Sequence, residues 1–168
     1  CVISAVGAAS DTTTNAVTLT VLRTFSITAQ PSNPTANEGA TASFSVSTSS
    51  SSGTPTYQWE RSDDNGSNYT TVVSATNASY TTPTLVHAND DDDRYRCVVS
   101  LVGAAATLTS NHGLLTVLRV ISISQQPVNT GVIEGQTATL SITAAITSDI
   151  IAYQWQKSVD NGLNWTNV

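Results

Sequence analysis

The sequence predicts an all-β fold, a two-sheet antiparallel sandwich, and three observations predict it. Short stretches alternate apolar and polar residues with period two, and no stretch carries a helical period. Gly, Asn, Asp and Pro mark turns about every ten residues, the spacing of sandwich strands. Finally, Tyr57-Gln58-Trp59 returns as Tyr153-Gln154-Trp155, a repeat of 96 residues. Such elements bury their apolar faces by packing sheet on sheet, with a closed barrel as the alternative.

The repeat runs without insertion or deletion. Cys1-Val2-Ile3-Ser4 lands on Cys97-Val98-Val99-Ser100, Gln30-Pro31 on Gln126-Pro127, and Glu38-Gly39 on Glu134-Gly135. The expected organisation is the closing strands of one unit at 1–23, a complete unit at 24–119 and the opening strands of a third at 120–168. The chain then reads as one window on a longer array. A sharper expectation is that 1–23 and 120–168 of neighbouring copies complete one another head to tail. That assembly would lack the equivalent of 73–96.

Residues 1–22 read as a hairpin: alternation over 1–6, a turn at 7–11, then Val17, Leu19 and Val21 on one face. With no Gly, Pro or Ser-rich spacer before Phe25, consecutive units should meet at a stiff junction. The strand starting at Phe25 ends at Gln30-Pro31, and Glu38-Gly39 turns into Ala42, Phe44 and Val46. Residues 47–53 read as a low-complexity loop, and 56–61 as a strand centred on Trp59. The turn from it to a strand at 69–73 is Asp63-Asp64-Asn65-Gly66, repeated at Asp160-Asn161-Gly162. Asn-Gly between strands is a strong hairpin signal because both residues tolerate positive φ. A strand at 79–85 with Tyr80, Thr82 and Leu85 turned inward is followed by His87-Ala88-Asn89 and the acidic run Asp90, Asp91, Asp92 and Asp93. Tyr95 and Cys97 open the next strand, and Leu108, Leu115 and Val117 belong to its returning partner.

Composition narrows function. Charged residues are 11%, with 6 Lys plus Arg against 12 acids and a net charge of −6. The few cations are scattered, which opposes nucleic-acid binding, where phosphates require clustered Lys and Arg. No apolar run approaches the ~20 residues needed to span a bilayer, and the first residues, CVISAVGAAS, carry no charged leader. Cys1 and Cys97 occupy the same place in successive units, so two free thiols are expected.

Candidate chemistry is sparse. Asp90, Asp91, Asp92 and Asp93, with Asp63 and Asp64, could supply oxygens to Ca²⁺, although the spacing fits no fixed loop and a solvated turn is the simpler reading. No other cofactor is implied. His87 and His112 have no partner at ligand spacing and read as surface loop positions. Asn65, Asn68, Asn77 and Asn164 each begin an Asn-x-Ser/Thr acceptor for glycans. No nucleophile with a base, paired acids or phosphate loop is visible, so an enzyme is not expected.

The residues now named resemble the immunoglobulin-like domain, in particular the tandem repeats of large bacterial surface proteins and phage structural proteins. Trp59 and Trp155 match the core tryptophan of strand C. Asp91 to Cys97 is similar to the Asp-x-x-x-Tyr-x-Cys pattern before strand F, which implies that the Tyr95 hydroxyl bonds back to nearby backbone. Val46, and Ile142 in the next copy, stand where the usual disulfide partner would be, so cohesion is expected from Trp59, Phe44, Val46, Tyr95 and Cys97, with Trp155 and Ile142 as core of the next unit. The resemblance implies an extracellular, cell-surface or virion location and a structural role in a filament or stalk, self-associating with copies or adjacent repeats. The alternative is an adhesin binding carbohydrate or receptor through loops or through Tyr69 and Trp165.

Overall fold

The computed structural model describes residues 1–7, 9–10, 12–147 and 149–168. The turn expected at 7–11 includes Ala8 and Asp11, which lie outside the described residues. In chain order the elements are β1 (Val2–Ile3), β2 (Thr12–Thr13), β3 (Phe25–Ala29), β4 (Thr35–Asn37), β5 (Ser43–Ser45), β6 (Ser47–Ser50), β7 (Thr56–Ser62), β8 (Thr70–Thr71) and β9 (Ser79–Thr81). A single helical turn, α1 (His87–Asp90), precedes β10 (Arg94–Ser100), β11 (Leu108–Thr109), β12 (Gly113–Leu114) and β13 (Thr116–Leu118). Then come β14 (Ile121–Gln125), β15 (Thr143–Ile146), β16 (Gln156–Lys157) and β17 (Thr166–Asn167).

From Phe25 to Leu118 these strands form an immunoglobulin-like sandwich. One layer pairs β3 with β6 and, just before β6 in the chain, β5 with β9. The facing layer runs β8, β7, β10, with β11 and β12 on the far side of β10. Beyond Leu115, β13 pairs in parallel with β4, the one exception to the antiparallel expectation among the described strands. β7 and β10 are the longest ladder, in a register that sets Cys97 opposite Trp59 and Tyr95 opposite Arg61. Their alternation turns Trp59, Tyr95, Cys97 and Val99 inward, where Phe44, Val46, Leu115 and Val117 of the other strands meet them. The Phe44 ring stacks on Tyr95 at 4.6 Å and tilts on Trp59 at 6.2 Å. The Trp59 indole N–H donates to Asn77 O at 2.9 Å, so burial strands no polar group.

Three pairings recur 96 residues apart in identical register. Val2↔Thr13 repeats Val98↔Thr109; Phe25↔Ser50 becomes Ile121↔Ile146, with the same irregularity after Ile27 and Ile123; Arg61↔Thr70 becomes Lys157↔Thr166. The tandem organisation is thus written in backbone hydrogen bonds as well as in residues.

Four expectations need correction. The loop at 47–53 begins as strand β6, because Thr48 and Ser50 alternate inward and the Thr48 hydroxyl hydrogen-bonds the Tyr57 hydroxyl at 2.8 Å. Residues 87–89 are helical rather than loop, closed by the Val86 N–H donating to Asp90 Oδ2 at 2.7 Å. Val17, Leu19 and Val21 form no strand and are exposed, since the strands that hold their counterparts at 113–117 lie elsewhere in the chain. Trp155 and Ile142 are not a closed core: Trp155 is 39% exposed where Trp59 is 0%, and Ile142 is half-buried. Residues 120–168 contain no counterpart of β9 to β13, the strands that cover Trp59.

Candidate functional site

The four carboxylates of the acidic run, Asp90 to Asp93, point apart. Asp90 Oδ2 caps the helical turn and its Oδ1 lies 3.4 Å from Arg61 Nη2. Asp91 accepts the Val117 N–H at 2.7 Å and sits 3.4 Å from His87 Nε2. Asp92 takes a positive φ of 66°. Asp93 is buried and lies 2.6 Å from Arg61 Nε. Among the described residues no three His, Cys, Asp or Glu side chains gather as a metal-holding group, and Asp63 and Asp64 belong to a separate hairpin.

What the run builds is an ion pair inside the sandwich. Arg61 continues the inward face of Tyr57 and Trp59, so its guanidinium enters the protein and requires an acid. Burial pushes the Asp93 carboxyl up to about 6, against the pull of Arg61. Burial opposes the charge on Arg61, but Asp93 and other nearby groups outweigh it and its pKa is raised. The Tyr95 hydroxyl donates to Asp93 Oδ2 at 3.4 Å rather than to the backbone, a correction to the corner the resemblance implied. Arg61, Tyr80, Tyr95 and Asp90 with Thr70, Thr82 and Thr84 line a cavity of about 340 Å³ beside this pair. Sequence reasoning missed Arg61; its signal was an Arg in step with a core Trp.

The Asn-Gly hairpins are built identically. Asn65 and Gly66 take φ of 63° and 87°, Asn161 and Gly162 64° and 87°. Asp64 Oδ1 accepts from the Ser62 hydroxyl at 2.7 Å and the Asn68 N–H at 2.9 Å; Asp160 Oδ1 accepts from Ser158 at 2.8 Å and the Asn164 N–H at 2.9 Å. These bonds, the Asn68 and Asn164 backbone N–H first, hold both carboxyls down at about 2. Asn68 and Asn164 also commit their side-chain amides to Asp64 and Asp160, so a glycan there would have to displace a hydrogen bond. Asn65 sits at the exposed turn tip, and Asn77 is exposed.

The two aromatic candidates differ. Tyr69 is half-buried, its ring face covered by the Arg96 guanidinium at 3.7 Å, and Arg96 is held by Glu60 at 2.7 Å. Trp165, at the equivalent position, is 58% exposed and borders a groove of about 700 Å³ with Trp155, Leu140 and Val168. Both thiols are free; Cys97 is fully buried, and burial raises it to about 11, leaving it inert, while Cys1 is exposed. His112 is exposed in a loop. Among the described residues no helix is long and apolar enough to cross a membrane.

Fold and site together define an immunoglobulin-like module built on an indole core and an internal Arg–Asp pair. The chain belongs to the family described as "Domain of unknown function (DUF8696)", whose family model matches residues 26–119. No curated protein matches it in sequence. Similar solved structures are tandem immunoglobulin arrays. The five-domain Sidekick-1 segment is 15% identical, with a TM-score of 0.46 over 73% of this chain and 25% of that one. The tandem Ig repeats of Dlar are 18% identical, with a TM-score of 0.44 over 74% and 66%. Chimeric titin Z1Z2 is 20% identical, with a TM-score of 0.43 over 75% and 65%. The chain spans between a quarter and two thirds of the length of these structures.

Proposed function

We propose that this chain is a segment of an extracellular rod or filament, at a bacterial surface or on a phage, whose work is to hold distance and resist bending, without catalysis. One observation carries the reading: the linker arginine is anchored to the unit that follows it at both junctions. Arg23 Nη1 donates to Val102 O at 3.0 Å and its backbone N–H to Gly103 O at 2.8 Å. Arg119, 96 residues on, pairs with Asp149 at 3.1 Å, and residue 149 is the counterpart of Gly53, against which Arg23 also packs. Glu38 of the middle sandwich reaches across the second junction to the Thr147 hydroxyl. Linkers tied this way favour a rod whose units contact mainly their neighbours.

The adhesive alternative draws support from Trp165 alone, because Arg96 already occupies the face of Tyr69. Electron micrographs of the native assembly are the test. Filaments or rods with a regular axial repeat are expected; isolated globular particles would refute the reading.

A further inference from the structure

We infer that the cavity beside the Arg61–Asp93 pair is a binding site for the end ring of a neutral glycan chain. Every residue lining it lies between 61 and 95, inside the middle sandwich, and neither Tyr69 nor Trp165 is among them. The cavity opens where the two layers part, between β8 of one layer and residues 80–85 of the other; among the described residues no strand joins the layers on that side. Its volume of about 340 Å³ stands at the lower end of ligand pockets, roughly 300–1,000 Å³, so it takes one ring rather than a length of chain.

The polar groups on its wall are under-used by the protein. A guanidinium carries several N–H donors in a fixed fork, yet among the described residues Arg61 donates a single hydrogen bond, from Nη2 to Asn89 O at 2.9 Å. Its Nε lies 2.6 Å from Asp93 Oδ2 without the alignment of a hydrogen bond, and Nη1 has no acceptor among the described residues. Tyr80 is half-buried, and its hydroxyl likewise has no described partner. The Thr82 hydroxyl accepts the Ala42 N–H at 2.9 Å and keeps its own proton to donate. Asp90 Oδ1 has only the long 3.4 Å approach of Arg61 Nη2, which leaves an acceptor beside these donors. A wall of donors with an acceptor suits hydroxyl groups, which do both. Charge decides against an anion: Asp90 and Asp93 stand around one guanidinium, so a carboxylate or phosphate would meet an excess of negative charge. The remaining wall is hydrocarbon from Val72, Pro83, Leu85 and the Tyr80 ring, which fits the C–H face of a pyranose. Tyr80 is set in place by Tyr95, 5.6 Å away between ring centroids, so little side-chain freedom is lost on binding. At the mouth Thr70, Thr71 and Thr84 are exposed, and there the rest of a glycan chain can leave into water.

Backbone-amide NMR of the 168-residue chain, titrated with the methyl glycosides of glucose, galactose, mannose and N-acetylglucosamine, tests this. At least one should give saturable shifts centred on residues 70–72 and 80–85, with a Kd of about 1 mM for so small a ligand. A disaccharide ending in the same ring should bind no more weakly. Tyr80→Phe keeps the ring and removes the hydroxyl, and should weaken binding about tenfold. Arg61→Lys, which places in the middle unit the residue found at its counterpart 157, removes the fork and should weaken binding at least as much. Trp165→Phe should change nothing. The inference is overturned by the absence of saturable shifts at roughly ten times that concentration, by shifts centred on Trp165, by a Tyr80→Phe protein that binds like the parent, by exclusion of the disaccharide, or by a response to sodium phosphate in place of the glycosides. The site does not rest on the rod reading: a chain blind to sugars that still forms filaments leaves the rod standing, and isolated particles that bind the glycoside leave the site standing.

Discussion

Residues 56–75 and 152–168 carry the same hairpin twice, in different surroundings. In both, the Gln before the Trp donates its amide to the Trp carbonyl, at 2.9 Å for Gln58 and 3.0 Å for Gln154, and both aspartates gather the same bonds. Yet β7 runs seven residues and β16 two, and Trp59 is sealed while Trp155 is open. Turn chemistry is local and forms wherever Ser-x-Asp-Asn-Gly-x-Asn occurs. Core formation is non-local and waits for strands from β9 to β13. The hairpin is a pre-shaped template; the sandwich is what uses it.

The sharpest way to break that contrast is Trp59→Ala against Trp155→Ala. The first should cost about 3–5 kcal/mol in denaturant unfolding, from lost transfer and a cavity between layers. The second should cost under about 1 kcal/mol in dilute protein, since its indole is already half in water. Arg61→Met comes next. It leaves Asp93 buried without its cation, and because the Arg61 side chain is 34% exposed the loss should fall somewhat below that of a fully buried pair, about 2–3 kcal/mol. Lys157→Met, its counterpart in the open half, should be near neutral.

The pH dependence separates the buried Asp93 from the two turn aspartates by sign. With the folded Asp93 at about 6 and its ordinary value at 3.8, the folded state holds a proton that the unfolded chain has lost between those values, so this group's contribution falls as pH rises through that window. Asp93→Asn should flatten that slope in thermal melts. Asp64 and Asp160, held at about 2, act oppositely: their contribution is present above pH 4 and is lost as pH falls towards 2. The most even effect falls on the two turns. Asn65→Ala and Asn161→Ala should each cost about 1 kcal/mol of local hairpin stability through strained positive φ, read as matching changes in amide exchange at the two turns.

The sequence made legible what depends on neighbours in the chain or on the repeat. Asn65-Gly66 declares its turn by backbone tolerance alone, and Trp59, Phe44 and Val46 declare their inward face by alternation. Residues 47–50 hid as a loop because Ser and Thr are polar, although the pattern of their burial is that of a strand. Arg61 with Asp93 joins residues from two strands, and no local pattern announces which acid will meet a buried guanidinium. Trp155 was misjudged for a related reason: identity in the repeat fixes which face a side chain turns to, while burial depends on strands that 120–168 does not contain.

Acrylamide quenching of a Trp155→Phe/Trp165→Phe protein, in which Trp59 is the one remaining indole, tests the sealed core most directly. Emission should resist the quencher until the protein unfolds, whereas the variant keeping Trp155 alone should be readily quenched in dilute solution. Trp59 quenched as freely as Trp155 would contradict the sandwich built around it.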